Sequence, residues 1–223
     1  MRFVKTGIFI EMAIIFLCTG YFKSENEGRA TLISPSHDVK KIALSFDDGP
    51  SSEYTKVLID GLKDKGVVAS FFMTGKNIAE NREIVREISE GGHLIGNHTY
   101  SHVNLTKLPL NEALAEIRKT NELVREITGE EPEYIRPPYG AWNEKLEDNV
   151  DMMAVMWDVD PLDWETNDSA KVTVRIVSCA ENDYIILLHD IFESSVESAL
   201  NVVDLLKKDG YEFVTVDEIL GVK

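Results

Sequence analysis

Short apolar runs alternate with longer amphipathic stretches along residues 40–220, and no other feature of the sequence constrains its fold as much. The runs have the length of β-strands, and the stretches between them carry apolar residues at helical spacing. The predicted strands cover 41–46, 67–75, 93–98, 134–140, 152–160, 183–190 and 212–220. The predicted helices cover 52–66, 77–92, 110–129, 168–180 and 195–210. Strands that alternate with helices in this way pair mainly in parallel.

The composition of the strands narrows the fold class further. The predicted strands are apolar on both faces, as a sheet covered by helices on both sides requires. We therefore predict an α/β fold, a closed or nearly closed (β/α) barrel of about seven parallel strands. An open, doubly wound sheet is the alternative. In either architecture the active site lies at the carboxyl ends of the strands.

Ionisable side chains gather at these carboxyl ends. They are Asp47, Asp48, His98, Arg136, Asp160, Asp163 and His189. Each of them ends or follows a predicted strand, so the fold would bring them to the same end of the sheet. Random placement would not give this arrangement, and the pattern indicates a catalytic site.

His98 and His102 are four residues apart, and two histidines at this spacing meet on one face of a helix or a tight turn. A carboxylate from another strand end would complete a set of two histidines and one aspartate. Three protein ligands that leave positions open are typical of catalytic zinc, and a set without cysteine would let cobalt substitute. Only one of Asp47 and Asp48 can easily be a ligand, because successive strand side chains point to opposite faces. The pair could instead cap the helix that follows.

Five motifs occur in the order SFDDGP (45–50), HTYSH (98–102), RPPYG (136–140), DPLDW (160–164) and LLHD (187–190). Together they resemble the motifs of polysaccharide deacetylases, the family-4 carbohydrate esterases with a NodB homology domain. Each motif alone is weak, but all five in order across residues 40–220 are specific. Within the family, residues 95–108 and 160–165 look most like those of bacterial members that deacetylate N-acetylglucosamine of peptidoglycan. The resemblance implies a distorted (β/α) barrel, in agreement with the fold predicted from the alternation of elements.

The resemblance also implies which residues would bind the metal and which would act as the general base. Asp48, His98 and His102 would hold the ion. Asp47 would be the general base, and Arg136 would keep Asp47 charged and oriented. The two adjacent carboxylates would thus have different tasks, one as a ligand and one as a base.

A second group of residues would complete the reaction in the same family pattern. The backbone N–H of Tyr139 would help to bind the oxyanion, and His189 would be the general acid. Asp163 would raise the pKa of His189, and together with Trp164 it would form a wall of the pocket. Leu187 would line the space for the acetyl group.

A few residues are expected to lie apart from the chemistry. Ser45 stands where threonine is common in the family, and Tyr100 and Ser101 fill the middle of the histidine motif; none of these departures should touch the reaction. Trp157 lies within an apolar predicted strand and is expected in the core. His93 is expected to be solvated or to cap a helix.

The reaction implied is hydrolysis of an N-acetyl amide on a cell-wall glycan. An amine anion is a very poor leaving group, so an acid must protonate the departing nitrogen, and neutral histidine cannot do so. A nearby carboxylate such as Asp163 would raise the pKa of His189 and keep it charged near neutral pH. Two alternatives remain open: an O-acetyl esterase that acts on xylan, and a non-catalytic glycan-binding module built on the same barrel.

The amino-terminal segment differs from the rest of the chain. Arg2 and Lys5 precede an apolar run at 7–22, a pattern typical of a signal peptide or membrane anchor, so we assign 1–22 to that role. Residues 23–37 are polar and predict a linker, and 38–223 predict the catalytic domain. The alternative for the apolar run is a short helix packed on the domain.

The assignment of an export segment places the domain at the cell surface or outside the cell, with membrane contact through the amino terminus. The net charge of −16 and the lack of a basic cluster exclude nucleic acid as a partner. We expect the partner to be a glycan substrate and the protein to be a monomer.

Overall fold

The computed structural model describes residues 39–222, which form a parallel sheet surrounded by helices. The predicted signal or anchor at 1–22 and the linker at 23–37 lie outside the described residues. The strands are β1 (Lys40–Asp47), β2 (Ser70–Met73), β3 (Leu94–Asn97), β4 (Tyr134–Ile135), β5 (Met153–Ala154), β6 (Tyr184–His189) and β7 (Tyr211–Phe213). The helices are α1 (Thr55–Lys65), α2 (Gly75–Glu80), α3 (Arg82–Glu90), α4 (Leu110–Thr128), α5 (Glu144–Glu147), α6 (Ser169–Cys179), α7 (Glu193–Lys208) and α8 (Val216–Leu220). Within 39–222, none of these helices has the length and apolar character needed to cross a membrane.

The sheet closes into a distorted barrel. Its strand order is β5-β4-β3-β2-β1-β6, every pairing is parallel, and β7 pairs with the first half of β1. After β5 the chain leaves β4 and reaches β6, where Val159 bridges Ile186 and accepts a hydrogen bond of 2.9 Å from the N–H of Leu187. This irregular segment joins the two ends of the strand order. The predicted α/β barrel of about seven parallel strands is therefore confirmed.

Alternation along β1 decides which side chains enter the barrel. Ile42, Leu44 and Phe46 pack outward into the apolar cluster beneath the helices, while Ala43 belongs to a separate cluster with residues of β2, β4 and β6. Ser45 and Asp47 share the face of Ala43, because side chains two residues apart in a strand point the same way. Asp47 pairs in register with His189 of β6, so both lie at the carboxyl end of the barrel interior.

Two predicted strands are much shorter in the structure. The stretch 134–140 pairs only at β4, because Pro137 and Pro138 have no N–H group to donate to a neighbouring strand. The stretch 152–160 pairs as a strand only at β5, because the chain then crosses from β4 to β6.

Two other boundaries were predicted wrongly. The helix predicted at 77–92 is broken at Asn81, whose backbone is not helical and whose side chain donates to the carbonyl of Pro50 over 3.1 Å. The last strand does not run to residue 220, because α8 follows β7. Residues 216–220 carry acidic groups in the first turn, where they favour a helix.

Candidate active site

Asp47 and Asp48 face the same histidine, although they are adjacent. β1 ends at Asp47, and Asp48 has a φ of 73°, a left-handed conformation that turns its side chain back toward the barrel. Asp47 Oδ2 lies 3.8 Å from His98 Nε2, and Asp48 Oδ1 lies 3.5 Å from the same atom. The expectation that one of the pair would face elsewhere was therefore wrong, because strand alternation stops where the strand ends. Neither carboxylate caps α1, whose N-cap residue is Tyr54.

The two histidines meet in a tight turn that local hydrogen bonds stabilise. The backbone N–H of Thr99 donates to Asn97 Oδ1 over 2.6 Å, and that of Ser101 donates to Glu116 Oε2 over 2.7 Å. The rings of His98 and His102 are then 4.9 Å apart between centroids. The spacing of four residues thus brings the rings together without a helix.

Asp48, His98 and His102 form the one group among residues 39–222 with the geometry to hold a metal ion, and their candidate donor atoms all lie within 4.8 Å of one another. Asp48 Oδ1 is 3.3 Å from His102 Nε2, is buried, and has no hydrogen-bond partner in the described part of the chain. His98 Nδ1–H donates to the carbonyl of Arg136 over 2.6 Å, so its Nε2 keeps a free lone pair. An unpaired buried oxygen beside two imidazole nitrogens fits a divalent transition metal.

The electrostatics of this group favour the protonation states that a metal needs. Burial lowers the pKa of His102, which therefore stays neutral. Burial acts to raise the pKa of Asp48, but the close approach of His98, with smaller effects of His102 and His189, lowers it below its ordinary value. A carboxylate and neutral imidazoles are the forms that ligate.

Arg136 is completely buried and fixes Asp47 in place. Its Nη1 donates to Asp47 Oδ1 and to Ser45 Oγ, each over 2.8 Å. Nε and Nη2 donate to the carbonyls of Val155 and Met156 over 3.2 and 3.1 Å. Ser45, where threonine is common in the family, shares the interior face with Asp47, and its hydroxyl joins Arg136 to the carbonyl of Ile186 on β6. That this departure from threonine leaves the reaction untouched stays a prediction.

His189 lies across the barrel mouth and is paired with Asp163. Its Nδ1 is 2.9 Å from Asp163 Oδ1, and its backbone N–H donates to Asp163 Oδ2 over 2.8 Å. The hydroxyl of Ser195 donates to the same Oδ2 over 2.6 Å. Burial acts to lower the pKa of His189, but Asp163, with smaller effects of Asp47 and Asp48, raises it to about 9. His189 is therefore positively charged at neutral pH.

A cavity of about 430 Å³ joins these parts. It is lined by Asp47, Asp48, His98, His102, Pro137, Tyr139, Trp157, Asp160, Trp164, Leu187, His189 and Phe192. Tyr139 and Trp164 are 70% and 52% exposed, whereas Leu187 is buried at the base. A groove of about 600 Å³, lined by Val103, Asn104, Lys107 and Leu108, shares His102 and Tyr139 with it.

The structure brings together all ten predicted site residues, which contact one another or line this cavity. Trp157 was predicted in the core; it packs on the interior cluster, but it also lines the cavity. Phe192 was missed, although its position three residues after His189 at a strand end was a usable signal. His93 was predicted wrongly as solvated or capping. It is buried at the opposite end of β3 from His98, and its Nδ1 accepts from the N–H of Ala69 over 3.1 Å.

The comparisons with known proteins agree with this geometry. The sequence pattern described as polysaccharide deacetylase matches residues 34–155. The chain is 39% identical over 184 residues to the peptidoglycan-N-acetylglucosamine deacetylase PgdA of Listeria monocytogenes, covering 82% of this chain and 40% of that protein. It is 36% identical over 196 residues to a peptidoglycan-N-acetylglucosamine deacetylase of Bacillus cereus, covering 85% and 71%.

A solved structure gives the same result for the fold. The peptidoglycan deacetylase PdaC of Bacillus subtilis superimposes with a TM-score of 0.81 at 36% identity, covering 83% of this chain and 92% of that chain. By sequence, PdaC is named a peptidoglycan-N-acetylmuramic acid deacetylase, and the alignment covers 90% of this chain and 46% of that protein. The chain thus spans less than half the length of PgdA and PdaC.

Proposed function

Because this chain belongs to the polysaccharide deacetylase family, we propose that it is a metal-dependent hydrolase that removes N-acetyl groups from N-acetylglucosamine residues of peptidoglycan. One observation supports the proposal most strongly: a partly buried Asp/His/His set lies across one cavity from a charged His–Asp pair. Amide hydrolysis needs both, because the carbonyl must be activated and the departing amine protonated. The names of the PgdA and Bacillus cereus relatives favour peptidoglycan among glycans.

Asp48, His98 and His102 would hold the metal, which we propose to be zinc, with cobalt as a substitute. When bound, a divalent cation supplies Lewis acidity toward the acetyl carbonyl and lowers the pKa of a water molecule. The chain's own contribution is to orient the ligands. The Nδ1–H of His98 is fixed on the Arg136 carbonyl, which leaves its Nε2 facing Asp48.

Asp47 would take the proton from the attacking water as the general base. Its Oδ1 accepts from Arg136, and its Oδ2 stays on the side of the histidines. Arg136 is therefore a positioning residue that holds the Asp47 carboxylate pointed at the cavity. The backbone N–H of Tyr139 would stabilise the oxyanion, and one such donor contributes about 3–4 kcal/mol.

His189 would protonate the leaving nitrogen as the general acid. Asp163 holds its Nδ1 and leaves Nε2 as the proton donor, provided that the ring is charged. Leu187 and the indole of Trp164 line the same cavity and would receive the acetyl methyl and the sugar face. The groove beyond Tyr139 offers room for a neighbouring sugar.

We further propose that the protein acts outside the cytoplasm, at the cell surface, as a monomer. Residues 1–22 would be the signal peptide or membrane anchor, 23–37 the linker, and 38–223 the catalytic domain. The basic start and apolar run support this assignment. A wall glycan substrate requires the same location.

The test is release of acetate by the purified zinc-loaded protein from a panel of acetylated glycans. N-acetylglucosamine oligomers and peptidoglycan should release acetate, and the metal-free protein should release none. Hydrolysis of acetylxylan without activity on any N-acetylated glycan would replace this proposal with the O-acetyl esterase. Glycan binding without acetate release from any substrate would replace it with a non-catalytic module.

A further inference from the structure

Asp190 is a fully buried acid that the proposed reaction does not use. It directly follows His189 at the end of β6, and none of its surface is exposed. Its Oδ2 accepts a hydrogen bond of 2.5 Å from the hydroxyl of Thr55, the first residue of α1. Its Oδ1 has no hydrogen-bond partner within residues 39–222. A buried carboxyl group with an unpaired oxygen is costly, so its presence at this position needs a reason.

The loop that carries Asp48 packs directly on this carboxyl group. A Cβ atom added to Gly49 would lie 2.3 Å from both carboxyl oxygens of Asp190, so the backbone approaches as closely as only glycine permits. The Thr55 hydroxyl that donates to Asp190 also accepts a hydrogen bond of 2.7 Å from the N–H of Ser51. The Thr55–Asp190 pair therefore holds two residues of the loop: Gly49 packs against Asp190, and Ser51 donates a hydrogen bond to Thr55.

The opposite side of the loop is held by β2 and α2. Asn77 Nδ2 donates to the carbonyl of Asp48 over 2.7 Å, and the N–H of Thr74 donates to the carbonyl of Gly49 over 3.1 Å. The Thr55–Asp190 pair thus contacts one side of the loop, and Thr74 and Asn77 contact the other. These contacts hold the positive φ of Asp48, which residues other than glycine adopt only when their surroundings fix it. Removal of the contacts on either side would release Asp48, whose carboxylate approaches both His98 and His102.

We propose that Asp190 is a positioning residue for the metal site, which holds loop 48–51 so that the Asp48 carboxylate stays beside His98 and His102. Because Asp190 adjoins His189, the same contact ties the candidate acid to the candidate ligand across the cavity. The inference rests on the metal site of the proposed function. It assigns to the last residue of the LLHD motif a task that is separate from proton transfer.

The environment of the buried Asp190 carboxyl group suggests a conservative variant. Burial, opposed by the Thr55 hydroxyl and reinforced by the charges of Asp48 and Asp47, raises the pKa of Asp190 to about 7. An uncharged side chain of the same shape should therefore serve. In Asp190→Asn the amide oxygen can accept from Thr55 and the amide nitrogen can occupy the place of Oδ1, so the support for Gly49 remains. Asp190→Ala removes the support, and Thr55→Val removes the hydroxyl that joins Ser51 to Asp190.

The experiment is a Co²⁺ and Zn²⁺ binding titration of the metal-free protein, far below its melting temperature, for the parent and four variants. They are Asp190→Ala, Asp190→Asn, Thr55→Val and Leu62→Ala. Leu62 is a buried core residue on the same helix and controls for loss of stability without change at the loop. Melting of each metal-free variant reports its fold independently of the metal.

We expect Asp190→Ala to weaken metal affinity about 10- to 100-fold, as loss of a residue that orients metal ligands does. Thr55→Val should weaken it in the same direction, Asp190→Asn should bind nearly as the parent does, and Leu62→Ala should melt earlier with unchanged affinity. Unchanged affinity in Asp190→Ala, or equal loss in Leu62→Ala, would overturn the inference. If Asp190→Ala does not fold, Thr55→Val with parental affinity would overturn it. A parent that binds no metal would instead refute the proposed function.

Discussion

The pair of Asp163 and His189 allows a quantitative prediction for the variant Asp163→Asn. In the parent, Asp163 is the main reason that the pKa of His189 is raised from 6.5 to about 9, against burial that lowers it. Asparagine keeps the size of the side chain but removes the charge. In the parent, Asp163 Oδ1 accepts from His189 Nδ1, and Oδ2 accepts from the backbone N–H of His189 and the hydroxyl of Ser195. The amide of asparagine has only one oxygen, so it cannot accept at both positions. The imidazolium therefore loses its stabilising partner, and burial then acts alone on the ring.

The size of the effect follows from these values. Without Asp163 the pKa of His189 should fall from about 9 to 6.5 or lower, a loss of about 3 kcal/mol in stabilisation of the charged ring. At pH 7.5 the charged fraction would drop from nearly all of the protein to about one tenth. A metal ion in the site would lower the pKa in parent and variant alike, so the difference between the two proteins is the predicted quantity.

The assay is the pH dependence of kcat/KM for acetate release from an N-acetylglucosamine oligomer by metal-saturated protein. The alkaline limb should move to lower pH by about 2 pH units or more in Asp163→Asn, and activity at pH 7.5 should fall at least about tenfold. Ser195→Ala is the matched control, because it removes one hydrogen bond to Asp163 and leaves the charge. An alkaline limb that stays in place in Asp163→Asn, or that moves equally in Ser195→Ala, would refute the assignment of His189 as an acid tuned by Asp163.

Three further predictions concern the ligands, the stability and the location of the protein. His102→Ala should lose metal and activity together, whereas His189→Ala should keep bound metal by elemental analysis and lose rate by roughly 10²- to 10⁴-fold; loss of metal from the latter would contradict the roles. Burial lowers the pKa of His93 from 6.5 to about 4. Between these two pH values, His93 binds a proton in the unfolded chain but not in the folded protein. The free energy of unfolding should therefore fall between pH 6.5 and 4 and fall less in His93→Gln by urea titration, and identical profiles would speak against it. Fusion of residues 1–37 to a reporter that is active only outside the membrane should give signal, and a silent reporter in the soluble cytoplasmic fraction would count against export.

The position of the site could be predicted from the sequence because a parallel barrel gathers the carboxyl ends of its strands. Asp47, His98, Arg136 and His189 each follow an apolar run, and the barrel rule alone places them at one mouth. Contacts across the barrel could not be predicted in this way. Alternation separates the two faces of β1, but it does not state that Ser45 and Arg136 will meet inside, since 91 residues separate them.

Backbone geometry accounts for the other surprises. The left-handed φ of Asp48 places a second carboxylate beside the first, and nothing in an Asp-Asp-Gly-Pro stretch specifies that direction before the loop is packed. The end of β7 depends on long-range pairing, because β7 pairs with β1 only as far as Ile42 and β2 pairs with β1 from Ser45 onward. Trp157 shows the same limit: an apolar stretch marks a residue as buried, but not whether it also borders a cavity.

In the proposed reaction, one metal ion held by Asp48, His98 and His102 is needed for removal of the acetyl group. The most direct measurement is the initial rate of acetate release from N-acetylglucosamine oligomers as Zn²⁺ is titrated into metal-free protein. We predict a rate that starts at zero, rises in proportion to added zinc and levels off at about one equivalent per chain, with no rise at any concentration in His102→Ala. Full activity in a verified metal-free preparation, or an equal response to zinc in His102→Ala, would contradict the account.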